Sequence, residues 1–213
     1  MTGSDTARTR SRGGLADKRR AILAGALTVF ARDGYTRATT DTISAEAGVS
    51  SRTLYNHFQD KAQLFQNVIQ ESATRVADAQ IAIIDRYLRK VTDLEPDLVE
   101  FAQAFATPTT GEYAEHFALV RQINAESGHI PRAAIDAWQE TGPLRVRREL
   151  ADRMRQLADR GLLRVDDPDR AAIHFMLLIS VANPSYQGAV LEEREIDEMV
   201  TSGVRAFLHG YLR

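Results

Sequence analysis

The sequence contains no cysteine among its 213 residues. Disulfide bonds and thiolate metal sites are therefore excluded. It also contains no apolar run close to the roughly 18 residues that a membrane-spanning helix needs. The N-terminal stretch is charged and lacks the apolar segment of a secretory signal. Together these absences predict a cytoplasmic protein without a membrane partner.

Motifs of catalysis and metal binding are equally lacking. The sequence has no glycine-rich phosphate loop, no G-x-S-x-G elbow and no His/Glu pair at helical metal spacing. Four histidines, at positions 116, 129, 174 and 209, are scattered without ligand-like neighbours. The acidic run at residues 166–169 (DDPD) lacks the alternating acceptors of a calcium loop, so it is predicted to cap a helix. The sequence thus predicts no enzyme activity, no cofactor and no metal.

Charge is distributed unevenly although the net charge is only −2. Residues 1–60 carry 9 basic and 6 acidic side chains, whereas the rest of the chain carries 18 and 23. A basic N-terminal region followed by an acidic remainder is typical of a protein that binds a nucleic acid through its N-terminal region only.

The chain begins with a polar stretch and one amphipathic helix. Residues 1–14 lack apolar periodicity and are predicted to be a disordered basic tail, which either follows DNA or stays solvated. A helix is predicted over residues 17–33, where apolar side chains recur at spacings of three and four. Gly34 follows it as a left-handed cap.

Residues 40–58 (TDTISAEAGVSSRTLYNHF) are predicted to form two short helices joined by a tight turn. Thr39 suits the N-cap of a helix over residues 40–47, and Ser50 suits the N-cap of the next one. Val49 and Leu54 stand at the N′ and N4 positions of a hydrophobic staple, which fixes the angle of the second helix.

The second of these helices has two different faces. Leu54 and Phe58 lie within about 40° of each other and should point inward. The outward face carries groups that suit base edges and phosphates: Arg52, Thr53, Tyr55 and Asn56. Arginine pairs with guanine, asparagine with adenine, and the methyl group of threonine can meet thymine.

A fourth helix is predicted from residue 63 to about residue 90, with Asp60 as its cap. Asp60 and Gln63 form the pattern of a capping box. The first N–H groups of this helix and Lys61 would offer an anion site to the DNA backbone, and His57 is also placed for a phosphate.

The run GYTRATTDTISAEAGVSSRTLYNHFQDKAQLF resembles the TetR family of bacterial transcriptional repressors, and the resemblance covers about residues 18–65. It rests on Gly34, Tyr35, Thr39, Thr40, Ile43, Ala47, Gly48, Val49, Ser50, Thr53, Leu54, Tyr55, His57, Phe58, Lys61 and Leu64. The resemblance implies DNA contacts at Thr40, Ser51, Arg52, Thr53, Tyr55, Asn56, His57 and Lys61. The family often has an aromatic residue at position 56, so its base preference there is not carried over.

The rest of the chain is predicted to be helical. The helices are expected over about residues 97–106, 112–126, 131–139, 143–160, 169–182 and 195–212. Residues 101–182 also resemble a C-terminal domain found in a subset of these regulators, most clearly at RGLLRVDDPDRAA. The last two helices are unusually apolar, which indicates either a two-fold dimer or a cover over the core of the same subunit. The family resemblance implies the dimer, with an interface at Phe175, Leu178, Ile179, Met199, Val200, Val204, Phe207 and Leu208.

Aromatic and methionine side chains recur on the helices of this C-terminal part: Phe101, Phe105, Phe117, Trp138, Met154, Phe175, Met176 and Tyr186. At helical spacing such residues form either a core or the wall of a pocket. The resemblance implies an inducer cavity among these helices, and apolar walls would suit an apolar or amphipathic small molecule.

The sequence thus predicts an all-α protein with a three-helix, homeodomain-like helix-turn-helix domain at residues 15–62. Residues 63–213 would form a helical domain for ligand binding and dimerisation. The leading hypothesis is a homodimeric repressor that binds a near-palindromic DNA operator and is released by a small-molecule inducer. The alternatives are a ligand-independent architectural DNA binder, and a small-molecule binding protein or enzyme whose helix-turn-helix is merely structural.

Overall fold

The computed structural model describes residues 5–106, 113–181 and 192–211, and the regular elements within these ranges are all α-helices. They are α1 (Asp5–Arg37), α2 (Thr40–Glu46), α3 (Ser51–His57), α4 (Lys61–Leu88), α5 (Leu94–Ala106), α6 (Ala114–Ala125), α7 (Arg132–Thr141), α8 (Pro143–Asp159), α9 (Pro168–Leu178) and α10 (Glu193–Tyr211). The predicted all-α fold is confirmed. Within the described ranges, no helix combines the length and the apolar character needed to cross a membrane.

Helix α1 extends further than predicted at both ends. It begins at Asp5, within the stretch that the sequence predicts to be a disordered tail. Gly34 leaves helical geometry with φ 79° and ψ 176°, as its predicted left-handed role requires. The chain then continues to Arg37 before α2 begins.

The described residues form two compact units. The first unit comprises residues 5–75 and 113–141, and the second comprises residues 76–106, 142–181 and 192–211. This division differs from the boundary predicted between residues 62 and 63. Helices α6 and α7 group with the helix-turn-helix because Leu119, Ile123 and Ala134 are buried in the same apolar cluster as α1.

The core of the first unit is built around α1. The Phe65 ring lies 4.9 Å from the rings of both Phe30 and Tyr35, and it meets both edge-on. Helix α2 approaches α1 closely at Gly25, where an added Cβ would lie 2.8 Å from the backbone nitrogen of Ala47. Glycine at this position therefore sets how near the two helices can come.

The core of the second unit is an aromatic stack. Phe175 lies 5.7 Å from Phe101 and 5.0 Å from Phe207, and all three side chains are buried. Helices α9 and α10 touch at Gly203, where a Cβ would lie 2.1 Å from the carbonyl oxygen of Leu178. Helix α9 ends at Leu178 and not at residue 182 as predicted. The bounds of α4 to α8 and α10 differ from the predicted ones by at most three residues.

Candidate nucleic-acid interface

Two caps and one glycine shape the turn between α2 and α3. The Thr39 hydroxyl accepts a hydrogen bond from the Thr42 N–H at 3.1 Å, and the Ser50 hydroxyl accepts one from the Thr53 N–H at 3.2 Å. Both predicted N-caps are therefore confirmed. Gly48 between them has φ 65°, a left-handed conformation that favours glycine.

Helix α3 is anchored through one face. Leu54 is 0% exposed and Phe58 is 2% exposed, and both belong to the cluster that contains Ile43 and α1. Val49 is partly buried against the same cluster, which agrees with the predicted staple. The inward orientation predicted for Leu54 and Phe58 is confirmed.

The opposite face of α3 is polar and open. Arg52, Tyr55 and Asn56 are exposed, and Ser51 and Thr53 are partly exposed. The face thus carries a guanidinium, a phenol, an amide and two hydroxyls on one short helix, a set that can meet base edges and phosphates.

Two hydrogen bonds between α2 and α3 involve predicted contact residues. The hydroxyls of Thr40 and Tyr55 lie 3.1 Å apart, and the Ser51 hydroxyl donates to the Asp41 carboxylate at 2.9 Å. These side chains fix the mutual orientation of the two helices. Tyr55 remains 52% exposed, so its ring stays accessible at the surface.

His57 ends α3 in a partly buried position. Its Nε2 atom is buried and makes no hydrogen bond within the described part of the chain. The ring centroid lies 6.4 Å from that of Phe58. Because Nε2 is buried, it does not support the phosphate contact predicted for His57, and that contact stays a prediction.

The ammonium group of Lys61 binds backbone carbonyls of the same unit, and the contact predicted between Lys61 and the DNA backbone stays a prediction. Its Nζ donates to the carbonyl oxygens of Tyr35 at 2.9 Å, Ala38 at 3.1 Å and Thr36 at 3.4 Å. It also lies 4.6 Å from the centre of the Tyr35 ring. An ammonium has three donors, and all three have partners here. Because those partners are backbone carbonyls, no side-chain pattern in the sequence could indicate them.

The start of α4 is capped as predicted, with one variation. The Asp60 carboxylate accepts from the Gln63 N–H at 2.8 Å, and the Gln63 side chain accepts from the Gln59 N–H at 2.8 Å. In a standard capping box the second bond would go to the N–H of the cap residue itself. Both bonds hold the link between α3 and α4 in one conformation.

The residues predicted to line a ligand pocket fall into both units. Five lie together in the second unit: Phe101, Phe105, Met154, Phe175 and Met176. Phe117 and Trp138 lie in the first unit, and Tyr186 lies outside the described residues. The indole N–H of Trp138 is buried without a hydrogen-bond partner among the described residues.

The residues predicted for the dimer interface also divide into two sets. Leu178 and Met199 are 42% and 44% exposed. The other six are buried in the core of their own unit: Phe175, Ile179, Val200, Val204, Phe207 and Leu208. Those six are thus covered within their own subunit, as Phe175 is by Phe101 of α5. The structure adds two exposed neighbours that the sequence did not single out, Ile173 and Leu177.

Two short helices joined by a tight turn, the second buried through one face and open and polar through the other, are the arrangement of a helix-turn-helix DNA-binding protein. Two family models match the chain. The bacterial regulatory proteins of the tetR family match residues 22–68, and the C-terminal domain of AefR-like transcriptional repressors matches residues 96–213. The chain belongs to the TetR family of transcriptional regulators, and it is not an enzyme.

Known proteins extend this match across the chain. A TetR-family regulator from Mesorhizobium loti MAFF303099 is 28% identical with a TM-score of 0.81, covering 93% of this chain and 98% of that one. The flavonoid-responsive regulator FrrA is 28% identical with a TM-score of 0.63, covering 92% and 97%. The transcriptional activator FasR of Mycolicibacterium smegmatis is 35% identical over 57% of this chain and 51% of its own length. Matches to the curated relatives span 29% to 51% of those proteins.

Proposed function

We propose that this regulator is a homodimeric repressor that binds a near-palindromic operator and is released by an apolar or amphipathic small molecule. The observation that carries the proposal is the two-sided α3 helix, buried through Leu54 and Phe58 and open through Arg52 and Asn56. In a dimer, two such helices would enter successive major grooves about 34–36 Å apart. The operator would then mirror the two-fold symmetry of the protein.

The assignment of contacts follows from the geometry of α3. Arg52 and Asn56 are exposed one turn apart, which suits them to base edges in the groove. Tyr55 is positioned by Thr40 and suits a phosphate or sugar contact. Lys61 acts through the backbone carbonyls that it holds, so it supports the head from inside.

Selection of bound duplexes from a random-sequence pool, with the full-length protein, tests this function. We expect enrichment of a near-palindrome with half-sites separated by whole helical turns. Arg52→Ala and Asn56→Ala should change the preferred bases, whereas Tyr55→Ala should weaken binding to all sequences. Failure to enrich any sequence would contradict operator binding. Equal loss in all three variants, with unchanged preference, would contradict only the contact assignment.

The dimer is proposed from the apolar side chains that α9 and α10 leave open. Leu177 is 68% exposed, and Ile173 lies one turn before it on the same face. Leu178 and Met199 are 42% and 44% exposed, and their helices touch where Gly203 meets the Leu178 backbone. Exposed apolar side chains that adjoin in this way mark an interaction surface.

Replacing Leu177 by glutamate should disrupt the dimer, because an ionised carboxylate would have to be buried at the interface. Sedimentation velocity should show a monomer with an unchanged helical circular dichroism spectrum. Leu15→Glu is the matched control, since Leu15 is 55% exposed on α1 and lies in the first unit. A dimer that survives Leu177→Glu would place the interface elsewhere.

Release by a small molecule is proposed for the second unit, where Phe101, Phe105, Met154 and Met176 share one apolar cluster. The family relation to FrrA, which is named as flavonoid-responsive, makes a flavonoid a reasonable first probe. An apolar inducer should lower the affinity of the selected duplex and raise the melting temperature of the free protein. If no compound in an apolar and amphipathic panel changed DNA affinity, a ligand-independent binder would be favoured.

A further inference from the structure

The corner between α1 and α2 is held by charged side chains from two other helices. This corner, defined here as residues 34–38, leads directly into the Thr39 cap of α2. Lys61 at the start of α4 binds three of its carbonyl oxygens. Glu126, the residue that follows α6, binds its donors.

One oxygen of the Glu126 carboxylate accepts two hydrogen bonds from the same residue. This oxygen, Oε2, accepts from the Thr36 backbone N–H at 2.8 Å and from the Thr36 hydroxyl at 2.9 Å. Burial raises the pKa of the Glu126 carboxyl, but the bonds from Thr36 and the charge of Arg37 outweigh burial and lower it. The carboxylate is therefore ionised at neutral pH, the form that makes the stronger hydrogen bonds.

Gly34 leaves room for this carboxylate. An added Cβ at Gly34 would lie 2.1 Å from Glu126 Oε1. The left-handed glycine thus serves two purposes, because it turns the chain and opens the space that Glu126 occupies. Both backbone groups of Thr36 are bound: its N–H donates to Glu126, and its carbonyl oxygen accepts from Lys61.

Helix α6 is fixed to the same unit along its whole length. At its first turn, Glu115 accepts from the Thr28 hydroxyl at 3.0 Å, and His116 Nδ1 lies 2.9 Å from the Ser72 hydroxyl. In its middle, Leu119 and Ile123 are buried in the α1 cluster. Glu126 thus stands at the end of a rigid element, which makes it a precise support for the corner.

We propose that Glu126 is a positioning residue for DNA binding, which sets the orientation of α2 and α3 by holding Thr36 at the α1–α2 corner. Thr36 lies three residues before the α2 cap, and α2 is bonded to α3 through Thr40 and Tyr55. A displaced corner would move both helices together. The recognition face would then keep its side chains and lose its fit to the groove.

The experiment titrates full-length variants with the selected duplex and, at low salt, with a random-sequence duplex, well below the melting temperature of each variant. Glu126→Ala should weaken binding by about tenfold or more, since hydrogen bonds to a charged group are lost. Thr36→Val keeps the N–H and should cause an intermediate loss. Thr36→Ser keeps both donors and should restore wild-type affinity. Asp136→Ala is the matched control with near wild-type affinity, because it removes an acidic side chain of the same unit that only forms an exposed pair with Arg132 within α7.

Amide hydrogen exchange supplies a second readout. Glu126→Ala should increase exchange at Thr36 and in α2, with the second unit unchanged. Wild-type affinity for both duplexes in Glu126→Ala, or equal loss in Thr36→Ser and Thr36→Val, would overturn the positioning role. If the wild-type protein bound random DNA but no sequence could be selected, the proposed operator would be contradicted. The affinities of the wild type and Glu126→Ala for the random-sequence duplex would still decide the role of Glu126.

Discussion

The two compact units are stabilised by different kinds of contact. In the first unit, charged and polar side chains bind specific backbone groups, as Lys61 binds three carbonyls and Glu126 binds the Thr36 N–H. In the second unit, the rings of Phe101, Phe175 and Phe207 pack against each other in an apolar core. The second unit also has charged contacts of this kind, such as that from the Arg160 guanidinium to the Val91 carbonyl oxygen at 2.6 Å, beside exposed pairs such as that of Arg205 and Glu95.

We expect the two kinds of contact to serve two purposes, which are to fix the course of the chain and to supply stability. Directional bonds to the backbone fix the course of the chain, and a recognition helix needs a fixed course more than it needs a large core. Aromatic packing supplies stability with little directional demand, because apolar burial depends mainly on area. The following predictions test whether geometry and stability are in fact divided between the units in this way.

Phe175→Ala should have the largest effect on stability. It removes a fully buried ring between Phe101 and Phe207, at an expected cost of about 3–5 kcal/mol in the free energy of unfolding. Urea unfolding followed by circular dichroism measures it. Arg205→Ala, which breaks the exposed pair with Glu95, should stay within about 0.5 kcal/mol. Similar costs for both variants would contradict the dominance of packing in this unit.

Acid should weaken the first unit through His116. Burial first, and the charge of Arg75 second, lower the pKa of His116 from 6.5 to about 4. As the pH falls, His116 is therefore protonated in the unfolded state before it is protonated in the folded state. The stabilisation is complete above pH 6.5 and is lost as the pH falls toward 4, by on the order of 3 kcal/mol.

His116→Asn isolates this effect, because asparagine can still bond the Ser72 hydroxyl and does not titrate. Urea unfolding at several pH values should show the wild type losing more stability than the variant between pH 6.5 and 4. Carboxylates titrate in both proteins and cancel in the difference. Parallel curves for the two proteins would show that His116 is protonated as easily in the folded state as in the unfolded one.

Gly25→Ala should disturb the α1–α2 contact. The new Cβ would lie 2.8 Å from the Ala47 nitrogen, which predicts a loss of about 1–3 kcal/mol and weaker DNA binding. Gly210→Ala is the control, since a Cβ there meets nothing within 4 Å and helix propensity favours alanine. Thermal melting and duplex titration measure both variants. Stabilisation of both would mean that the helices separate at no cost.

Ser50→Ala should have the smallest effect on stability, about 1 kcal/mol, because α3 loses its N-cap. Its effect on duplex affinity should exceed that of Arg205→Ala, since Ser50 begins the recognition helix. Ser50→Thr keeps the capping oxygen and should behave as the wild type in both measurements. An unchanged melting temperature in Ser50→Ala would indicate that tertiary packing alone maintains α3.

Much of the first unit could be predicted from the sequence because its signals are local. The caps at Thr39 and Ser50 and the inward pair Leu54 and Phe58 depend on residues within one or two turns of each other. The inward turn of Lys61 could not be predicted, because its partners are backbone atoms some 25 residues earlier in the chain.

Contacts between distant segments could not be predicted from the sequence either. Glu126 lies 90 residues from Thr36, and nothing in its neighbourhood indicates that bond. On α9 and α10, periodicity identified apolar positions but not their environment. Phe175 and Phe207 are covered because they pack against each other and Phe175 also packs against Phe101, while Leu178 on the same helix as Phe175 stays exposed.

The side chains of Arg52 and Asn56 are exposed and form no hydrogen bond or ion pair with any residue in the described part of the chain. Substitutions at such exposed positions change stability by only about 0.5 kcal/mol. If these two side chains read the operator as proposed, one copy could, after a gene duplication, acquire a new operator through changes at these two positions without first needing compensating mutations. The same independence makes them the natural positions for a designed library of regulators with altered targets.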